Sequence, residues 1–595
     1  MLRDVVIQPM AIICITLCLL CTIKKLAAAT PVEVTTQLGV LKGKLESVAG
    51  RQVASFLGVP FGEPTSGQYR FKPPRMVKPW KKPFEATTLA PSCYQSKDTT
   101  FPGFRGAEMW NANTPLDENC LYLNMWVPWG VRNATVLVWL YGGGFWYGTP
   151  SLDIYDGRAL AAEGDVIVVN LNYRMGVFGF LFLDDPDVPG NMGLMDQQLG
   201  LQWIRQNIAY FGGNPEKVCL FGESAGAASI VAHMIANDSR PLFHNGILQS
   251  GSLDNPWAME TPEKALNKAQ QFARSLKCDN ELVSSTIHCL MNKSASELND
   301  AIWNVNLSFL EFPFVIVSRD RGGFFNQDAF VSLHEGNYKK DVNLIVGLNE
   351  NEGSFWTFYY LPKHFRIEHD SLLSKDAFMD CVEESLALYP TVVRRAAAFH
   401  YLDQQCRNQP EYYRDAVNRM IGDYFFTCDS LWFAEQLLEA RAAKVYVYHF
   451  KHRASTNPWP AWAGVMHAYE IEFVFGLPLL YPGNYTPQEE EFSKEIIKYW
   501  TTFATSGKPE VPKGTLSWPE YTLAKKESFA LKFRTKEIER RIKEETCKTW
   551  RSARKIEYLL YASQYRAGAT ASIGTTFAYR LATTISIMLP ALLRV

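Results

Sequence analysis

The sequence predicts an α/β protein with a large, mostly parallel central sheet and helices on both faces. Two observations carry that expectation. Short apolar, β-branched runs recur at 135–141, 166–170, 218–221, 247–249, 344–347 and 445–448, and helical patterns lie between them, as at 194–210 and 260–275. Strands that are apolar along their length, rather than alternating, belong to sheets buried on both faces, and alternation with helices makes such sheets parallel. A chain of 595 residues with 47% hydrophobic content can fill the large core this requires. No internal repeat or low-complexity linker divides it. The helix-rich stretch 355–445 reads as an elaboration within one large domain, expected over 30–568.

The first 29 residues read as a secretory signal. Residues 9–23 are apolar, and Leu26-Ala27-Ala28-Ala29 supplies small residues for cleavage. Arg3 is offset by Asp4, so an uncleaved anchor is the alternative. At the other end, 581–593 is apolar but too short to span a bilayer as a helix. A mostly small or polar spacer precedes it, and Ala567-Gly568-Ala569 precedes the spacer. These are the ordered parts of a lipid-anchor signal, with Gly568 as a plausible attachment residue and 569–595 as the propeptide. A terminal interfacial helix is the other reading.

An exported chain meets an oxidising compartment, where cysteines pair. Of twelve cysteines, three lie in the leader, which leaves nine, an odd number. Asn-x-Ser/Thr sequons at Asn133, Asn237, Asn292, Asn306 and Asn484 fit surface glycans on an extracellular protein. The formal net charge of -1 offers no phosphate footprint, so nucleic acid is not an expected partner.

The chemistry is concentrated in Phe221-Gly222-Glu223-Ser224-Ala225-Gly226, which follows an apolar run and precedes a small-residue, helix-permissive one. Gly-x-Ser-x-Gly in a strand-turn-helix context forms a tight turn that lifts the serine oxygen above the sheet edge. Ser224 is therefore the candidate nucleophile. Acyl transfer also needs a base, an acid to orient it, and donors for the oxyanion. Gly142-Gly143-Gly144 closes another strand, and the amides of Gly143, Gly144 and Ala225 would form a three-donor hole. A phosphate-binding loop would need a following Lys-Ser/Thr, which is missing. The base and acid must follow the nucleophile in the order acid, then base. His467 and Glu352 satisfy that order, but spacing alone leaves a packed loop histidine and a solvated loop acid open.

These residues resemble the cholinesterase branch of the type-B carboxylesterases, an α/β-hydrolase family. The likeness covers nearly all of 35–550. It includes Glu118-Asn119-Cys120-Leu121-Tyr122-Leu123-Asn124, Gly142-Gly143-Gly144-Phe145, Gly222-Glu223-Ser224-Ala225-Gly226 and Glu352-Gly353-Ser354-Phe355. The resemblance implies Glu352 as the triad acid, His467 as the base and Ser250 as a hydroxyl beside the acid. It also implies three disulfides, Cys93–Cys120, Cys278–Cys289 and Cys428–Cys547. Cys219 then remains as a buried thiol, and a Cys381–Cys406 bridge stays open.

Trp110, in the loop closed by Cys93 and Cys120, matches the residue that holds the quaternary ammonium of choline, a cation–π role. Outside this resemblance such a tryptophan is more often core. Glu223, Tyr155 and Phe355 match other parts of that choline site. Trp257, Leu310, Phe312 and Phe355 match the acyl pocket. Leu310 stands where vertebrate acetylcholinesterases carry Phe, a substitution shared with arthropod acetylcholinesterases, so the acetyl preference is expected to be soft. Asp98 and Trp303 match a peripheral site at the gorge mouth, and Trp146 and Trp356 replace smaller aromatics in a way that would narrow the gorge.

The implied activity is hydrolysis of choline esters, chiefly acetylcholine, through an acyl-enzyme, with no metal or organic cofactor. The expected partners are that small ester, a membrane reached through a lipid anchor, and a second copy of the chain as a candidate. The expected place is the cell exterior, secreted or anchored, at a synapse. The rivals are a broad carboxylesterase, an organophosphate scavenger, and a non-catalytic adhesion member of the fold.

Overall fold

Thirteen strands form one sheet in the computed structural model, which describes residues 30–554 apart from 49, 403–408, 441–443, 511–515 and 553. The expected leader, the anchor segment with Gly568, and Cys406 lie outside the described residues. Twelve strands form a continuous path: β1 (Thr30–Thr36), β2 (Gly39–Val48), β3 (Arg51–Pro60), β4 (Tyr122–Pro128), β5 (Ala134–Leu140), β6 (Ile167–Leu171), β7 (Gly213–Glu223), β8 (Asn245–Gln249), β9 (Asn343–Asn349), β10 (Val445–Phe450), β11 (Glu527–Leu531) and β12 (Glu537–Arg540). In space they run 1-2-3-4-6-5-7-8-9-10-11-12, and the short strand Phe84–Glu85 pairs beside β2.

Every pairing from β6 to β11 is parallel. Strands β5 and β6 are buried at every residue, as continuous apolar runs require. The flanks are antiparallel, β1 through β4 with β6 on one side and β11–β12 on the other. Continuous apolar runs do not mark the N-terminal flank. Strand β2 reads GVLKGKLESV and mixes buried with half-exposed positions, so it carries the weaker alternating pattern of a partly solvated edge.

Helices follow the expected pattern with shifted boundaries. Helix α1 (Met192–Asn207) runs on into a 3₁₀ turn, Ile208–Phe211. Helix α2 (Ala225–Ile235) follows Ser224 directly. Helix α3 (Pro262–Ser275) starts later than residue 260, because the Thr261 side chain caps it by accepting from Lys264 N, with Pro262 in the first turn. The helix-rich stretch becomes α4 (Ser354–Tyr360), α5 (Lys375–Ser385), α6 (Thr391–Tyr401) and α7 (Pro410–Gly422), then a π-turn at Asp423–Thr427 and α8 (Cys428–Glu439). One hydrophobic core includes residues of the sheet and of these helices. Among the described residues, no helix is long and apolar enough to cross a membrane.

The structure closes Cys93–Cys120, Cys278–Cys289 and Cys428–Cys547. Cys219 and Cys381 are buried without a disulfide partner among the described residues. All five sequon asparagines, Asn133, Asn237, Asn292, Asn306 and Asn484, are exposed.

Candidate active site

The carboxyl ends of parallel strands leave a crevice where open α/β sheets bind ligands, and the candidate residues gather there. Ser224 sits between β7 and α2 with φ 56° and ψ -119°. Such a backbone is strained for a residue with a side chain, and strain of this kind concentrates at functional sites. It is held by Ser224 N donating to Gln249 O at 2.8 Å and by Ala228 N donating back to Ser224 O at 3.0 Å. The turn tolerates no bulk at Gly226, where a Cβ would run into Leu140 O. Gly143, at φ 107°, is equally constrained, because a Cβ there would meet Tyr147 O. The N–H groups of Gly143, Gly144 and Ala225 donate to no protein acceptor among the described residues.

Glu352 follows β9, and His467 lies in the loop after β10. Asn349 and Asn351 join the two loops. Asn349 Nδ2 donates to Met466 O at 2.8 Å, Asn351 N donates to Val465 O at 2.9 Å, and Val465 N donates to Asn351 Oδ1 at 2.9 Å. His467 Nδ1 then lies 2.7 Å from Glu352 Oε2. The other carboxylate oxygen, Oε1, accepts from Ser250 Oγ and Asn349 N, both at 2.6 Å. With its oxygens engaged, Glu352 has one orientation, and it sets that of the imidazole.

The opposite ring nitrogen, Nε2, lies 2.9 Å from Glu223 Oε1. Burial opposes protonation of His467, but the carboxylates of Glu223 and Glu352 outweigh it and raise the imidazole pKa. Burial also raises the Glu223 pKa, against the pull of His467 and with a further push from Glu352. His467 and Glu223 therefore titrate as a pair. No hydrogen bond joins Ser224 Oγ to His467, although both line one cavity. Catalytic contacts of this kind often tighten only when substrate is bound. Two rings flank the imidazole, Phe426 at 4.5 Å and Trp356 at 5.5 Å between centroids.

The same cavity is lined by Trp110, Gly143, Tyr155, Glu223, Phe355 and Trp356, together with Ser224 and His467. Trp110 is 8% exposed, and its indole N–H has no protein partner among the described residues. Its ring meets Tyr469 edge-on at 6.3 Å. Tyr155 has its pKa raised by burial and then by the charge of Glu223. Trp257, Leu310 and Phe312 do not line the cavity wall. Trp356 does, with Phe312 5.9 Å behind it, Trp257 6.1 Å beyond Phe312, and Phe426 stacked on it at 5.6 Å. The expected narrowing by Trp356 is therefore accompanied by a layer of aromatics behind the indole.

The loop carrying Leu310 and Phe312 is tied down by Lys268 of α3. Its ammonium donates to Phe312 O at 2.9 Å and lies 2.6 Å from Glu260 and 2.9 Å from Glu311. The loop carrying Trp110 is tied by Cys93–Cys120 and by Arg70, which grips Glu118 through two nitrogens and donates to Met291 O and Lys293 O. Further out, Asp98 Oδ2 accepts from Tyr359 at 2.8 Å. Trp303 is 41% exposed and packs edge-on against Trp146 at 4.9 Å, and Trp146 lies 4.3 Å from Tyr147 of the cavity wall. Sequence reasoning gave no role to Tyr147, three residues past the glycine run, or to Asn349, three before Glu352, and it missed Tyr359 and Phe426, which belong to no local motif. Asn351 stands beside Glu352 and could have been read as a helper of the acid.

A nucleophile-elbow turn on a parallel sheet, with a buried Glu–His pair beside it, defines an α/β-hydrolase. The chain belongs to the carboxylesterase family, whose family model matches residues 30–550. It is 46% identical over 563 residues to acetylcholinesterase 4 of Caenorhabditis briggsae, covering 91% of this chain and 93% of the relative. It is 43% identical over 527 residues to the acetylcholinesterase of Bungarus fasciatus, covering 88% and 86%. With the cholinesterase of Mus musculus it shares 43% identity over 534 residues, covering 87% and 86%. The expected likeness to the cholinesterase branch is thus borne out.

Proposed function

We propose that this chain is an acetylcholinesterase, a serine hydrolase that splits acetylcholine into choline and acetate. The observation that carries the reading is one cavity lined together by Ser224, His467, Trp110 and Glu223. A Trp face beside a buried carboxylate attracts a desolvated quaternary ammonium, by roughly 2 kcal/mol or more for the ring alone. The names of the relatives point the same way.

In the proposed mechanism the Ser224 oxygen attacks the acyl carbon as its proton passes to His467 Nε2, and Glu352 holds the imidazolium. The amides of Gly143, Gly144 and Ala225 stabilise the oxyanion, each worth about 100- to 1000-fold in rate. Choline leaves with the proton from His467. Water then attacks the acyl-enzyme, again with His467 as base, and acetate is released. A second reading, a broader carboxylesterase, draws on Leu310, an aliphatic residue buried in the loop that also carries Phe312. A methylene in such a pocket discriminates by only about 1–3 kcal/mol. The proposal includes removal of 1–29, lipid anchoring near Gly568 with loss of 569–595, glycans on the five sequons, and a site of action outside the cell, at a synapse.

The test is kcat/KM for acetylthiocholine, butyrylthiocholine and an uncharged isosteric ester, in wild type and Trp110→Ala. A preference for the charged acetyl ester that falls about 30-fold in the variant, with the neutral ester little changed, supports the reading. Equal turnover of charged and neutral esters by wild type would make the chain a general carboxylesterase. No turnover at all would make it an adhesion protein.

A further inference from the structure

A second recess lies on the far side of the 3₁₀ turn Asp153–Tyr155, between that turn and strands β2, β3 and β4. Its volume is about 220 Å³, against about 30 Å³ for the catalytic cavity. Trp126, Tyr155 and Tyr481 give it flat walls, and Glu46, Asp153 and Asp156 face Lys44 and Arg158.

The cations of this lining are already engaged. Arg158 donates to Asp156 through Nε and Nη2 and lies 3.5 Å from Glu46, and Lys44 Nζ donates to Thr87 O at 3.1 Å. The carboxylate of Asp153 is less committed. Its Oδ1 accepts from Asn113 Nδ2 at 3.2 Å, and its Oδ2 takes no hydrogen bond among the described residues. Three carboxylates against two cations leave one uncompensated negative charge beside aromatic surface. That combination selects a monocation with a flat apolar body, since the charge meets a carboxylate while the ring covers an indole or phenol.

We propose that this recess is an effector site for a small protonated arylalkylamine, and that the turn Asp153–Tyr155 transmits its occupancy to the catalytic cavity. Two connections make the coupling physical. Leu152 and Tyr155 line both spaces, so a displacement of the turn moves a wall of each. Asn113 belongs to the loop closed by Cys93 and Cys120, three residues after Trp110, and it donates to Ser151 O at 2.8 Å as well as to Asp153. An ammonium on Asp153 competes with Asn113 and loosens the tie between the turn and the Trp110 loop. The inner side of the turn stays fixed, because Asn170 Nδ2 donates to Tyr155 O at 2.8 Å and to Pro150 O at 3.2 Å. Binding in the recess therefore weakens the hold on a charged ester.

Benzylammonium is the probe. It is titrated calorimetrically into wild type, Trp110→Ala, the double variant Glu46→Gln/Asp153→Asn, and Leu89→Trp. The expected result is a binding site that persists in Trp110→Ala and disappears from both recess variants. Leu89→Trp fills the recess from its rim without removing a charge, so the test survives misfolding of the double variant. Coupling is read with acetylthiocholine: saturating benzylammonium raises KM about fivefold more in wild type than in Leu89→Trp, the lower end of ordinary allosteric coupling. A recess site present in all four proteins, or absent from Trp110→Ala, overturns the assignment. Identical kinetics in wild type and Leu89→Trp overturn the coupling.

Discussion

The two halves of the candidate active site are held by different means. One half stands on strand ends: the glycines after β5, Ser224 after β7, Glu352 after β9 and His467 after β10. Backbone groups fix it, through Ser224 N to Gln249 O, Asn349 N to Glu352, and the bridge between Asn351 and Met466. The other half is the loop carrying Trp110, together with the loop of Leu310 and Phe312 that backs Trp356 from outside the cavity wall. These loops depend on long-range side-chain ties: a disulfide, the Arg70–Glu118 pair and buried Lys268. A ladder of parallel strands supplies precision to whatever follows it, whereas a loop must be anchored residue by residue. The proposed chemistry accordingly sits on the first half and the proposed specificity on the second.

The largest expected effect comes from removing a loop anchor. Lys268→Met leaves buried Glu260 without its close cation and Glu311 with only the half-exposed Lys264, and breaking a buried pair costs about 3–5 kcal/mol. Thermal unfolding should show that loss, and the butyryl-to-acetyl ratio of kcat/KM should rise as the Phe312 loop loosens. An unchanged ratio at lowered stability would confine Lys268 to folding. Next, Cys93→Ser/Cys120→Ser opens a loop of 27 residues and should cost about 3 kcal/mol. Its kinetic signature is loss of kcat/KM on the charged ester with the neutral ester retained. Equal loss on both would show that the disulfide also supports the strand-end half.

The smallest effect is on the strand-end half. Glu223→Gln removes one of the two carboxylates that raise the His467 pKa. A base must be unprotonated to act, so the acid limb of the kcat/KM–pH profile should move to lower pH while the melting temperature changes little. A shift to higher pH would show that Glu223 does not hold the imidazolium in the working enzyme.

Legibility in the sequence follows the same division. The nucleophile turn, the glycine run and the buried strands were readable because each is local: a strained turn needs glycines beside it, and a two-faced strand needs an unbroken apolar run. Glu352 and His467 were placed only by order and resemblance, since their residue types occur in any loop. The antiparallel edge was missed because β2 is half solvated, and the start of α3 moved because Thr261 caps it. Phe426, stacked behind Trp356 and against His467, carried no signal, because a phenylalanine in a helix-rich stretch looks like any core residue.

By itself, then, the sequence determined what depends on neighbouring residues: the class of fold, the elbow at Ser224, and the amides that flank it. Only the tertiary structure decided what depends on residues far apart in the chain. It placed His467 between Glu352 and Glu223, put Lys268 under the Phe312 loop, and made Tyr155 a wall shared by two cavities. The physical reason is that backbone strain and hydrophobic periodicity act over a few residues, while packing and electrostatics act through space, and no spacing along the chain records them.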